Sequence, residues 1–142
     1  MREVVLRLYF EGQATASELA ADLRTGIVHE RASDGPRVTR YHVEDMSVDF
    51  TVEPVHVVSV LDAVEAGELS LEDVEAVAFS LEASDHFLWD TDTPEGERVA
   101  ESLFWLGSPE INYPLTPSVL KKIRRYLLTG EKLLGREETR TD

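Results

Sequence analysis

Three observations predict an α+β fold in which a small, mainly antiparallel sheet of three strands, with room for a short fourth, packs against a predominantly helical C-terminal half. Apolar and polar residues alternate at Val4 to Phe10 and again from Met46 to Val52, the period of a half-buried strand. Beyond Pro54, apolar residues recur at helical spacing in four successive segments, each with its own start and stop signals. The 142 residues are 42% hydrophobic and 30% charged, the balance of a single globular domain with one core. One compact unit is expected over residues 1–134, followed by a polar, frayed tail over 135–142.

Val4, Leu6, Leu8 and Phe10 would share one face of the first strand. Thr15 and Glu18 form a T-x-x-E capping box ahead of Leu19, Ala20, Leu23 and Ile27, so a helix is expected from about Ala16 to Arg24, ended by Gly26. Ser33-Asp34-Gly35-Pro36 carries turn chemistry, and Val38 to Val43 reads as a second strand. Glu44-Asp45 then reverses the chain into Met46, Val48, Phe50 and Val52. The resulting hairpin lacks the Asn-Gly or Asp-Gly turn that would fix its register.

Val55, Val57, Val58 and Val60 suit a strand as well as a helix. Pro54 at a first helical position, the stripe Val57, Val60, Leu61 and Val64, and Gly67 behind it favour the helix. Ser70 and Asp73 cap a second helix with Val74, Val77, Ala78 and Leu81 on one face. The short link 67–70 makes the two an antiparallel pair over roughly Val55 to Ala83. His86 to Trp89 reads as an edge strand at most. Thr93-Pro94 and Thr116-Pro117 open the last two helices, which Gly107-Ser108-Pro109 and Gly130 close. Between them, Tyr113-Pro114 is a bond for which the cis form is accessible.

Charge is distributed very unevenly. Residues 41–97 hold sixteen Asp or Glu and no Lys or Arg, whereas residues 1–40 hold six of each sign and 98–142 hold six acids and eight bases. The net charge of −14 therefore arises in the middle of the chain. Like charges gathered in this way repel one another, which suits a surface that meets something positive. Direct binding to nucleic acid or to an anionic membrane is not expected.

The absence of cysteine excludes disulfides, thiolate nucleophiles and Cys-ligated zinc. No apolar run approaches a membrane span, and the charged start Met1-Arg2-Glu3 is unlike a signal peptide, so the expected compartment is the cytoplasm. The histidines at 29, 42, 56 and 86 form no H-x-x-x-H pair, and there is no G-x-S-x-G elbow or phosphate-binding glycine loop. No cofactor and no catalytic residue is predicted.

Asp90-x-Asp92-x-x-Glu95-Gly96, with Glu101 further on, resembles an EF-hand calcium loop. Pro94 stands where a ligand should be and the glycine falls one place late, so a solvated acidic loop feeding a helix N-terminus is the better reading. An enzyme centred on residues 85–97, metal-dependent or acid–base, is the alternative this stretch offers. The basic cluster Lys121, Lys122, Arg124 and Arg125 complements the acidic middle of its own fold in preference to nucleic acid.

Two aromatics lie off the apolar stripes. Phe79 sits opposite Val74 and Leu81 and beside Glu72, Glu75 and Glu82, and Trp105 points away from Val99, Leu103 and Leu106. Exposed aromatics with a charged rim have the anatomy of a protein interface. The predicted partner-binding residues are accordingly Glu72, Glu75, Phe79, Glu82 and Trp105. In size, charge and lack of a catalytic motif the chain resembles the small acidic immunity proteins that neutralise bacterial toxins, often nucleases, or a DNA mimic. The resemblance implies an inhibitor that binds a basic protein. A structural subunit, with Phe79 or Trp105 buried between copies of a homo-oligomer, is a further alternative.

Overall fold

A computed structural model describes residues 1–31 and 37–135. Its elements run α1 (Glu3–Phe10), α2 (Ala16–Thr25), β1 (Ile27–Arg31), β2 (Arg37–Tyr41), β3 (Phe50–Thr51), α3 (Pro54–Glu65), α4 (Leu71–Ala83), β4 (Phe87–Leu88), α5 (Pro94–Gly107) and α6 (Pro117–Thr129). The core is helical. Leu61 of α3, Leu81 of α4, Leu103 and Leu106 of α5, and Ile123 and Leu127 of α6 are all buried together, and Leu19 and Leu23 of α2 join the same cluster. None of the helices described is long and apolar enough to cross a membrane.

The three-stranded, mainly antiparallel sheet is not formed. Extended structure among the described residues consists of two strand pairs, β1 with β2 antiparallel and the two-residue strands β3 and β4 parallel, and an isolated parallel bridge between Arg2 and Glu44. The first expected strand is a helix. In a run as short and as nearly all apolar as Val4 to Phe10, periodicity alone does not separate a strand from a helix. The buried positions decide between them: Glu3, Val5 and Leu6 face inward, and Tyr9 donates from its hydroxyl to the Ser59 carbonyl at 2.8 Å.

The hairpin is also redrawn. β2 pairs with β1, in the register Ile27↔Tyr41 to Arg31↔Arg37, and not with the chain beyond Glu44. Ile27 therefore belongs to a strand and not to the stripe of α2. The expected turn at 33–36 lies outside the described residues. The alternation from Met46 to Val52 survives only as burial at its two ends, with Val48 exposed between them. Among the described residues no strand runs along its length, and Phe50–Thr51 alone meets Phe87–Leu88. The Met46 amide instead donates to Oε1 of the buried Glu3 at 3.0 Å.

The helical pair α3/α4 forms as its capping signals require. Gly67 sits at φ +79°, a left-handed conformation that costs glycine nothing. The Ser70 hydroxyl accepts from the Asp73 amide at 3.1 Å while the Asp73 carboxylate accepts from the Ser70 amide at 2.9 Å. Asp73 is buried and is also bonded by Arg24 at 3.3 Å. Gly130 ends α6 at φ +79°. All peptide bonds described, Tyr113–Pro114 included, are trans.

Candidate functional site

The face of α4 turned away from the core carries Glu72, Glu75, Phe79 and Glu82. The helix places them together because intervals of three and four residues return to one side, while Val74, Val77, Ala78 and Leu81 are held in the core. Phe79 is 44% exposed. One side of its ring stacks on Tyr41 at the end of β2, with centroids 4.6 Å apart and planes 26° from parallel. The aromatic surface is thus wider than one residue, and its second member comes from the antiparallel strand pair.

Two of the carboxylates around it, Glu75 and Glu82, are raised above the ordinary carboxyl range. Glu75 lies in a shallow recess with Leu71, Pro109, Glu110 and Pro114. Its carboxyl is pushed above the usual range, first by this burial and then by Glu110 and Glu72. The Glu82 carboxyl is raised by burial, its Oε1 lying 3.9 Å from where a Cβ on Gly107 would stand. The Tyr41 hydroxyl is raised in turn by burial and by Glu75 and Glu72. Among the described residues, no cation forms an ion pair with Glu75 or Glu82.

Trp105 does not join this face. It is half-buried against Tyr113, edge-on at 6.1 Å, and Tyr126 at 5.3 Å, so a second layer from the 108–116 link and α6 covers it. The four acids of the calcium-like loop do not converge. Asp90 accepts from the Asp92 amide at 2.9 Å, and Thr93 bridges the Asp90 carbonyl to the Gly96 amide. Any Cβ on Gly96 would collide with the Asp90 carbonyl, so this glycine serves a close backbone approach. Glu95 stands in the first turn of α5, and Glu101 pairs with Lys132 at 3.1 Å. Among the described residues, no three His, Cys, Asp or Glu are grouped to hold a metal ion.

On α6, Arg124 is bonded to Asp62 of the acidic stretch at 2.7 Å and Arg125 to Glu131 at 2.9 Å. Sequence reasoning missed an aromatic cluster at the junction of α1, β3, β4 and α3. There Phe10 and Phe50 stack at 5.8 Å, and His56 lies 4.9 Å from Phe50 with Phe87 close by. His56 Nδ1 accepts from the Glu53 amide at 2.8 Å, capping α3, and His86 Nδ1 meets Asp49 at 2.9 Å. No linear spacing links these residues. No protein-family model matches the chain, and no curated protein or solved structure resembles it significantly.

Proposed function

We propose that the chain is an acidic protein-binding module that receives a basic protein on the α4 face, as an inhibitor or immunity-type partner of a toxin or nuclease would. The observation that carries this reading is the pairing of an exposed aromatic stack with Glu75 and Glu82, which meet no cation among the described residues. Glu75 and Glu82 are partly desolvated and have no counter-ion among the described residues, so a guanidinium or ammonium from a partner would relieve that cost. Phe79 then supplies the contact area. Screened surface ion pairs contribute about 0–1 kcal/mol each, whereas a buried aromatic anchor contributes about 2 kcal/mol or more.

The test uses a synthetic amphipathic helix bearing Arg and Leu, with its Glu-for-Arg counterpart as control, in binding kinetics at low and physiological salt. The Arg peptide should bind and the Glu peptide should not. Phe79→Ala should speed dissociation about tenfold or more, while Glu75→Gln with Glu82→Gln should slow association and flatten its salt dependence. Binding that is unchanged in both variants would remove α4 as the docking face. The same variants, assayed against basic nucleases for loss of inhibition, test the inhibitory role itself.

A further inference from the structure

A second exposed surface lies on α6. Leu120, Arg124 and Leu128 recur at intervals of four and, with Leu61, Val64 and Lys121, line a groove of about 340 Å³ between α3 and α6 and the wider recess beside it. Leu128 is 46% exposed, and the recess sets four bases, Lys121, Lys122, Arg124 and Arg125, against two carboxylates. Among the described residues, Lys121 pairs with no acid. An anionic membrane is a poor occupant, because the net charge of −14 opposes approach.

The chain itself carries a matching shape. On α4, Leu71, Glu75 and Phe79 recur at the same interval of four, with Leu71 and Phe79 exposed. Eight helical residues span about 12 Å, so each helix offers two apolar side chains the same distance apart with a charge between them. The central residue is Glu75 on α4 and Arg124 on α6; Arg124 is already bonded to Asp62 at 2.7 Å, so the adjacent Lys121 supplies the cation that the groove leaves open among the described residues.

We propose that α4 of one copy seats in the α3/α6 groove of a second copy, with Leu71 and Phe79 over the groove's leucines and Glu75 and Glu82 toward Lys121 and Arg124. The contact joins different surfaces, so each copy retains one open α4 and one open groove, and assembly proceeds to a ring or an open chain. It uses the same face as the basic partner but does not depend on that partner's existence. A basic partner and a second copy therefore compete.

Sedimentation velocity of the full chain over a concentration series tests this at physiological ionic strength, where repulsion between the two acidic bodies is confined to about 8 Å. The mass should rise with concentration from the 16.0 kDa of one chain. Phe79→Asp closes α4 and Leu128→Asp closes the groove, both at exposed positions. Each variant alone should stay at the mass of one chain, while an equal mixture should form a species of twice that mass and nothing larger. Should Leu128→Asp lower the helical circular dichroism signal, Lys121→Glu replaces it. A parent that is monomeric throughout, a variant that assembles alone, or a mixture that fails to pair would each overturn the proposal, and none of them bears on the binding of the Arg peptide.

Discussion

The exposed faces of α4 and α6 are both rich in charge and reach opposite electrostatic states. On α6, Arg124 is tied to Asp62 and Arg125 to Glu131, so much of the basic cluster is neutralised within the fold. On α4, Glu75 and Glu82 have no such partner among the described residues and titrate high. Charge density in a sequence is therefore a weak guide to an interface. Charge that the fold leaves uncompensated beside an exposed aromatic is a stronger one, because a partner can recover the desolvation cost.

The largest expected effect separates the two sides of α4. Leu81→Ala should cost about 2–5 kcal/mol of unfolding free energy, since Leu81 is fully enclosed. Phe79→Ala should cost only about 0.5–1.5 kcal/mol, the scale of one aromatic stack. Equal losses in urea titrations would mean that Phe79 belongs to the core and is not free to dock.

A smaller effect should come from Glu75→Gln with Glu82→Gln. A carboxyl whose folded pKa is raised binds its proton more tightly in the native state, so the native state is penalised as pH rises through the window above the unfolded value. The parent should gain stability relative to the double variant as pH falls from neutral into that window, and the variant should respond less. Parallel pH profiles would show that the α4 carboxylates are not strained.

The smallest effect is expected on α6. Asp62 and Arg124 are both well exposed, and surface pairs of this kind rarely register in stability. Asp62→Asn should leave the urea midpoint within error. A clear loss would make the pair a structural clasp and would sharpen the contrast with α4.

Much of the helical half was legible because its signals are local. Ser70 with Asp73, Pro54, Gly67, Thr93-Pro94, Thr116-Pro117 and Gly130 each act within one turn of the chain; α3, α4, α5 and α6 begin at these caps and prolines, and Gly67 and Gly130 follow the ends of α3 and α6. Strand positions were partly legible, since β2, β3 and β4 fall within or overlap the expected segments Val38–Val43, Met46–Val52 and His86–Trp89, but their pairing was not, because the partners are distant. Nothing near Phe50 announces Phe87, and Ile27 reads equally as the end of a helical stripe. The helical wheel placed Phe79 outward correctly but could not reveal Tyr41 beneath it. The same wheel turned Trp105 outward, where Tyr113 and Tyr126 form a layer that no periodicity encodes.

The β3–β4 junction has a consequence for the pH response of the whole molecule. His56 is held below its ordinary pKa by burial, so its contribution is complete above the unfolded value and fades as pH falls below it. His86 is held above its ordinary value by its bond to Asp49, so its contribution is complete below the unfolded value and fades as pH rises through the folded one. The two windows therefore lie on opposite sides of the unfolded value, and the platform is most stable between them, losing the His56 contribution on the acid side and the His86 contribution on the basic side. Proton NMR should show His56 titrating below pH 6.5 and His86 above it, so the platform's stability should peak between the two values, where a lone histidine would only tilt it.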